Sequence, residues 1–281
     1  MKTRILSGVV MALMVAAVLA LGFLVSGWFI TVFVALIAAV AAWELLSAFD
    51  VRNQAARMGA SVYSFLGILL LSGRVRLFSS VAESAETARA YMLFIAWSIF
   101  YFIFAACVIL ARHEEFSLAG IAAFSGLVPL YCFAFSCLGA IIDHDNGVFY
   151  LLMLLNFSSV CDMGAYFVGS ALGKHKLCPA ISPKKTVEGA VGGMVSSLLV
   201  TVILVLCFSM RGKLVAALLL TLPLCVLSMI GDLFASVIKR AAGIKDYGKL
   251  IPGHGGILDR VDSILMVAPL FYLCMIWGVL S

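Results

Sequence analysis

Two polar segments of this chain combine lysines, hydroxyl side chains and glycines at close spacing. Residues 173–189 read GKHKLCPAISPKKTVEG, and residues 236–262 read SVIKRAAGIKDYGKLIPGHGGILDRVD. Lysines and hydroxyls can donate charge-assisted hydrogen bonds to a phosphate, and closely spaced glycines let the backbone approach it. Thr186 or Ser182 is expected to cap the helix that follows the first segment. The second segment also alternates cations with acids, a mixture that suits an anion bound together with a metal ion. The two segments therefore predict a phosphate site with an associated cation.

Aspartates within or at the ends of apolar runs supply the second half of such a site. Asp162, Asp232, Asp259 and Asp262 lie at a similar depth, and the last two share one helical face because they are three positions apart. An acid at membrane depth is costly and usually marks function. Oxygen ligands without a histidine or cysteine cluster suit magnesium better than zinc. The alternative is that each aspartate forms a structural ion pair with a nearby lysine.

The composition of the chain indicates a polytopic membrane protein. Of its 281 residues, 64% are hydrophobic and 12% are charged, whereas soluble domains are about 45–50% apolar and about 25% charged. This composition excludes an ordinary soluble domain, a disordered chain and a nucleic-acid binder. The net charge of +5 comes from basic residues scattered along the chain, so it does not indicate a nucleic-acid partner.

The apolar runs predict an all-α fold with about nine transmembrane helices, because a spanning helix needs roughly 20 apolar residues. Fourteen lysines and arginines lie in segments on the side of the N-terminus and five lie on the other side. Cytoplasmic loops carry the basic excess, so residues 173–189 and 241–260 are expected in the cytoplasm and residues 143–147 outside. The predicted spans are 5–25, 27–49, 55–73, 88–111, 118–142, 147–170, 190–209, 213–240 and 262–280.

Polar content divides the chain into two regions. Residues 1–145 carry few polar residues beyond their loops and are predicted to form a transmembrane scaffold, whereas residues 146–281 are predicted to form the catalytic region. Glu44 is the acid of the scaffold that lies inside an apolar run. We expect it to reach the membrane interface or to pair with Arg52 or Arg57.

The two polar segments together resemble the signature of the phosphatidate cytidylyltransferases, the CDP-diacylglycerol synthases. The second segment contains S-x-x-K-R, K-D-x-G and P-x-H-G-G-x-x-D-R-x-D at the spacing of that family. The stretch from Cys161 and Asp162 to Gly189 resembles a second block of the family. No Walker nucleotide-binding motif is present. These blocks cover about a third of the chain.

The resemblance implies an integral enzyme of the cytoplasmic (inner) membrane with its active site facing the cytosol. Family members join CTP and phosphatidate to give CDP-diacylglycerol and pyrophosphate in phospholipid biosynthesis. They require magnesium, a second cation being left open, and form homodimers. The chemistry is an in-line displacement, in which charge neutralisation and positioning dominate.

The resemblance also implies a role for each polar residue of the two blocks. Asp232 and Asp259 are the expected metal ligands, with Asp262 and Asp246 as further candidates. Lys239, Arg240, Lys245 and Arg260 are expected to bind the lipid phosphate or the triphosphate, and His254 is either a structural loop residue or a phosphate donor. Ser182, Lys184, Lys185 and Thr186 are expected to face CTP. Asp162 is expected to orient a lysine or the nucleotide, and Tyr166, Glu188 and Ser236 complete the substrate contacts.

Two other functions are compatible with acids at membrane depth. A related CTP-using lipid enzyme, such as a polyprenol kinase or an archaeal-type ether-lipid cytidylyltransferase, would share the polar loops, and the kinase would transfer the γ-phosphate. An ion-coupled transporter would also bury acids, but they would more often lie near the membrane midplane. It would not need the loop of lysine, aspartate and glycine.

Overall fold

A computed structural model describes residues 13–22, 26–72, 83–144, 146–179, 181–251 and 255–280. These residues form helices joined by short connections and one β-hairpin. The helices are α1 (Leu13–Gly22), α2 (Trp28–Ala48), α3 (Gln54–Leu71), α4 (Glu83–Ala111), α5 (Leu118–Ala122), α6 (Val128–Ile142), α7 (Gly147–Leu155), α8 (Cys161–Leu172), α9 (Val187–Cys207), α10 (Leu214–Ala241) and α11 (Leu258–Ile276). The strands are β1 (Lys176–Cys178) and β2 (Ser182–Thr186).

Shorter turns connect or continue some of these helices. Three-residue 3₁₀ turns occur at His113–Glu115 and Arg211–Lys213. A π-helical turn, Ala123–Leu127, joins α5 to α6, and a second, Asn156–Val160, joins α7 to α8. Each π turn joins its two helices into one continuous span. The two resulting spans are Leu118–Ile142 and Gly147–Leu172.

The all-α polytopic fold is confirmed, but the count of nine spans is not. Seven helices in the described part of the chain are long and apolar enough to cross a membrane. The predicted span 5–25 lies partly outside the described residues, which contain only Leu13–Gly22 of it. The predicted span 262–280 begins earlier, at Leu258, and places three charged residues in the first five positions of α11. Because of these charges, α11 is not among the seven helices that are apolar enough to cross a membrane.

The chain forms two compact units. One comprises Met1–Asp143 with Ala242–Arg260, and the other comprises His144–Ala241 with Val261–Ser281. The polar loop after α10 therefore groups with the N-terminal helices. The functional division into a scaffold and a catalytic region stays a prediction.

The core of the first unit is formed by α2, α3 and α6, which pack against one another. Aromatic side chains extend this core towards α4: the rings of Tyr63 and Tyr101 stack with centroids 4.1 Å apart. The buried Tyr101 hydroxyl donates a hydrogen bond to the Phe124 carbonyl oxygen at 2.7 Å, so its polar atom is satisfied. Asn53 caps α3 by accepting a hydrogen bond from the Ala56 N–H at 3.0 Å.

The second unit is built on the close pairing of α8 with α9, against which α10 also packs. Glycines make this approach possible. A Cβ added at Gly164 would lie 2.5 Å from Ser196 Oγ, and one added at Gly189 would lie 2.7 Å from the Ala165 carbonyl oxygen. Both distances are below van der Waals contact, so a larger residue at either position would push the two helices apart.

A buried polar network fixes the π turn that precedes α8. Asn156 Nδ2 donates to the Ser197 carbonyl oxygen at 3.1 Å and to Thr201 Oγ1 at 2.9 Å. Thr201 Oγ1 also lies 2.9 Å from Thr221 Oγ1, so the network joins α9 to α10. A π turn contains one more residue than a regular helical turn and often lies at a functional site. The π turn leads directly into α8, whose second residue is Asp162.

Candidate active site

The first polar segment folds into a β-hairpin between α8 and α9. Strands β1 and β2 are antiparallel, with Lys176 opposite Thr186 and Cys178 opposite Ser182. Thr186 ends the hairpin and caps α9, because its Oγ1 accepts a hydrogen bond from the Gly189 N–H at 3.2 Å. Of the two expected caps, Thr186 and Ser182, the cap is Thr186. The hairpin itself is absent from the sequence prediction, since strands of three and five residues leave little periodicity to detect.

The hairpin places its two central lysines in different surroundings. Neighbouring residues of a strand point to opposite faces, and accordingly Lys184 is exposed whereas Lys185 is half-buried. Lys185 Nζ lies 2.6 Å from Asp232 Oδ2 on α10, and the two side chains are 24% and 32% exposed. Asp162 on α8 lies within electrostatic reach of both residues. We call Asp162, Lys185 and Asp232 the hairpin cluster.

A second ion pair lies where α10 and α11 meet. Lys239 Nζ is 3.5 Å from Asp262 Oδ2, and the two side chains are 13% and 9% exposed. Asp232, Ser236 and Lys239 are spaced at four and three positions, so they share one face of α10. Lys239 and Arg240 also stand in the last turn of α10, where cations are favoured by the helix dipole.

The described residues 242–251 and 255–257 of the second polar segment lie between α10 and α11, and we call them the glycine loop. Asp259, at the start of α11, is 9% exposed. Its Oδ2 accepts hydrogen bonds from the Tyr247 N–H at 2.8 Å and from the Gly256 N–H at 3.0 Å. Gly255 has a φ of +90°, a conformation that favours glycine. The carboxylate of Asp259 thus holds both arms of the loop together.

Several charged residues of this segment are exposed, and three of them lie next to the bonded residues Tyr247 and Asp259. Lys245 and Asp246 precede the bonded Tyr247, and Arg260 follows Asp259. All three are exposed. They are therefore available to an anion or a cation from solution, as their expected roles require.

The chain matches a known protein family. The model of the cytidylyltransferase family matches residues 2–277. This chain belongs to the cytidylyltransferase family.

Relatives named phosphatidate cytidylyltransferase are similar to part of this family member. The protein from Staphylococcus saprophyticus subsp. saprophyticus is 43% identical over 132 residues, which cover 47% of this chain and 51% of the relative. The protein from Bacillus subtilis (strain 168) is 51% identical over 111 residues, which cover 40% and 41% respectively. The protein from Staphylococcus aureus (strain COL) is 42% identical over 132 residues, which cover 47% and 51%. The chain spans about half the length of the curated relatives it matches.

The structure shows the surroundings of Glu188 and Tyr166, two residues that were expected to contact substrate. Glu188 accepts hydrogen bonds from the backbone N–H groups of Lys174 and His175, and its Oε1 lies 2.6 Å from His175 Nδ1. It therefore closes the base of the hairpin. Tyr166 is 72% exposed on α8. Substrate contacts of Glu188 and Tyr166 stay predictions.

The predicted metal ligands do not form a cage among the described residues. No group of three or more histidine, cysteine, aspartate and glutamate side chains is close enough to hold an ion there. Asp232 and Asp262 instead pair with lysines, as the alternative interpretation of these acids proposed. His254 lies outside the described residues. The metal roles of Asp232, Asp246, Asp259 and Asp262 stay predictions.

Glu44 has partners that its sequence context did not predict. The expected pairing with Arg52 or Arg57 is wrong, because those side chains bond to Asp50 and to the Val51 carbonyl oxygen. The expected place of Glu44 near the membrane interface stays a prediction. Glu44 is 7% exposed, and its carboxylate accepts hydrogen bonds from the Ile257 and Leu258 N–H groups at the start of α11. The available signal in the sequence was an acid among apolar residues, with Trp43 before it and Leu45 and Leu46 after it. A carboxylate surrounded by buried residues needs a specific partner.

Proposed function

We propose that this family member is a phosphatidate cytidylyltransferase that joins CTP and phosphatidate to give CDP-diacylglycerol and pyrophosphate. The observation that carries the proposal is the hairpin cluster, in which the half-buried Lys185 pairs with Asp232 and lies within electrostatic reach of Asp162. It stands next to the N-terminus of α9, a 21-residue helix. A cation and a helix N-terminus both favour bound phosphate. The names of the relatives and the signature in the glycine loop support the same reaction.

The proposed reaction is a displacement at phosphorus. A phosphate oxygen of phosphatidate attacks the α-phosphorus of CTP and forms a new phosphorus–oxygen bond. The bond from that phosphorus to the bridging oxygen breaks, and its electron pair leaves with pyrophosphate. A phosphomonoester has a second pKa of about 6, so the nucleophile is already ionised near neutral pH and needs no general base. The protein must therefore position and neutralise two anions.

The residues of the chain divide this work between the two substrates. Lys184 and Lys185, with Ser182 and Thr186 on the same strand, are assigned to the triphosphate of CTP. Lys239, Arg240, Lys245 and Arg260 are assigned to the phosphate of the lipid or to the triphosphate, and Asp162 is assigned to orienting Lys185. Lysine has three donors, so Lys185 can retain its contact with Asp232 while it binds a phosphate.

The carboxylate of Asp232 fits a magnesium ion that arrives with the nucleotide. Magnesium is usually held by one or two carboxylates together with substrate phosphates and water. Asp232 supplies one carboxylate next to the lysine assigned to CTP, and Asp259 is the second expected ligand. When bound, magnesium would neutralise charge on the transferred phosphate and on the leaving group. A homodimer is proposed from the family resemblance alone.

Radiolabelled CTP tests the proposed function. In purified protein in detergent with phosphatidate, we expect the label of [α-³²P]CTP to enter the lipid while pyrophosphate is released. Label that enters a lipid from [γ-³²P]CTP, with release of CDP, would indicate a kinase and contradict the proposal. Absence of lipid labelling from either nucleotide, in protein that is folded, would also contradict it.

The distribution of basic residues predicts the orientation of the site. In a variant without native cysteines, a cysteine introduced at the exposed Lys184 should react with a membrane-impermeant maleimide only when the cytoplasmic side is accessible. A cysteine at the exposed His144, in the loop after α6, should react from the opposite side. Labelling of the Lys184→Cys variant in intact cells would contradict a cytosolic active site.

A further inference from the structure

Glu44 acts as an N-capping side chain for α11, although it lies on another helix. The first N–H groups of a helix have no partner within the helix. Glu44 Oε1 accepts a hydrogen bond from the Ile257 N–H at 3.1 Å, and Oε2 accepts one from the Leu258 N–H at 3.0 Å. The carboxylate thus reaches the helix from α2, more than two hundred positions away in the sequence. A negative charge is also favoured there by the helix dipole.

Two glycines of the glycine loop leave the space that the Glu44 side chain occupies. A Cβ added at Gly248 would lie 2.5 Å from Glu44 Oε1, and one added at Gly256 would lie 2.6 Å from Glu44 Cδ. At both positions the nearest atoms all belong to Glu44. Neither glycine has a positive φ, so the backbone does not demand glycine there. The space that Glu44 needs is the physical reason for these two glycines.

Glu44 and Asp259 hold the same short stretch of chain. Glu44 binds Ile257 and Leu258, whereas Asp259 binds Tyr247 and Gly256. The two carboxylates therefore engage four backbone N–H groups on both arms of the glycine loop. Because Asp259 is adjacent to Leu258, a shift of the helix start moves Asp259 directly.

We propose that Glu44 is a positioning residue for the transfer reaction, acting through the glycine loop and Asp259. It contacts no substrate in this role. Instead it fixes the backbone that carries Lys245, Asp246 and Arg260, so these charges are arranged before substrate binds. The inference rests on the proposed function for its effect on turnover. Its effect on the loop is independent of that function.

The first test is a coupling experiment between Glu44 and Gly248. Glu44→Ala removes two charge-assisted hydrogen bonds, and we expect kcat to fall by about tenfold or more. KM for both substrates should change by less than about threefold, because Glu44 does not touch them. Gly248→Ala should lower kcat by about tenfold as well, since the new methyl group displaces Glu44.

The double variant decides whether the two residues act together. Glu44→Ala removes the three atoms nearest to a Cβ at Gly248, so Glu44→Ala/Gly248→Ala should be no more than about twofold worse than Glu44→Ala alone. Multiplied losses of about a hundredfold would show that Gly248 serves some other purpose and would overturn the proposal. Gly139→Ala is the matched control, because a Cβ at Gly139 meets nothing within 4 Å.

A second readout separates positioning from simple stabilisation and from the proposed function. Lys245 and Lys249 are exposed in the glycine loop, so trypsin should cleave there several-fold faster in Glu44→Ala than in the wild type. Asp50→Asn, which alters an exposed acid at the end of α2, should leave the cleavage rate unchanged. Unchanged cleavage in Glu44→Ala would overturn the inference even if the wild type lacked cytidylyltransferase activity.

Glu44→Gln distinguishes position from charge. Glutamine retains one acceptor oxygen and nearly the same volume, so it should keep part of the turnover that alanine loses. Full specific activity in Glu44→Ala, with only a lower yield or a lower Tm, would reduce Glu44 to a structural residue and overturn the proposal. If the wild type is inactive but trypsin cleavage responds as expected, the proposed function fails and the loop-holding role stands.

Discussion

Replacing Asp232 with asparagine should lower CTP-dependent turnover by about a hundredfold or more in protein that still folds. Asparagine keeps the shape of the side chain but removes the charge that faces Lys185 at 2.6 Å. Asp259→Asn should have an effect of similar size. Its amide oxygen can still accept from the Tyr247 and Gly256 N–H groups, so the loop should survive while the charge is lost. Specific activity of purified variants is the measurement.

The double variant and a magnesium titration test the expected metal role of the two aspartates. If both hold the same ion, Asp232→Asn/Asp259→Asn should lose little more than either single variant. Asp50→Asn is the control, since the exposed pair that Asp50 makes with Arg52 contributes little. Wild-type activity in Asp259→Asn at any magnesium concentration would remove Asp259 from the mechanism. Lower protein yield with unchanged specific activity would indicate that Asp232 and Asp259 act only through structural ion pairs.

Replacing Lys185 with alanine should raise the KM for CTP by about tenfold or more. A hydrogen bond to a charged group contributes about 1.5–3 kcal/mol, and the half-buried position of Lys185 limits screening by water. The KM for phosphatidate should rise less. Lys184→Ala should shift the KM for CTP by a smaller factor, because Lys184 is exposed on the opposite face of β2.

Lys176→Ala provides the control for these lysine variants. Lys176 lies on the neighbouring strand β1 and is exposed, so its removal changes the same net charge. An unchanged CTP dependence in both Lys184→Ala and Lys185→Ala would reassign these residues to the basic charge of a cytoplasmic loop. A tenfold rise in Lys176→Ala alone would move the triphosphate site to the other strand.

In the glycine loop, residues of the family signature also have structural roles. Its lysines and aspartates suggest contacts with phosphate and metal, yet the Asp259 carboxylate also accepts hydrogen bonds from two backbone N–H groups. Gly248 and Gly256 suggest backbone approach to a phosphate, yet each faces the carboxylate of Glu44. In this loop the same residues maintain the fold and carry the charges, so single variants must be read with a measure of folding.

The sequence by itself determined the elements whose cause is local. Apolar runs of about 20 residues are sufficient to specify spanning helices, and α2, α3, α9 and α10 lie within a few residues of their predicted spans. The cap of α9 was narrowed to Thr186 or Ser182, because capping depends on a residue and the few that follow it. The start of α11 was placed too late, because three charges near its N-terminus interrupt the apolar pattern while a helix can still begin there.

Only the tertiary structure decided which charged residues meet. Several lysines were available to Asp232, and the packing of α8, α9 and α10 selects Lys185. Glu44 was assigned to nearby arginines, but folding brings it to Ile257 and Leu258 instead. Helix formation depends on residues three or four positions apart, whereas the partner of a buried charge depends on which helices pack together. That choice is made by the whole chain, so no local pattern in the sequence reveals it.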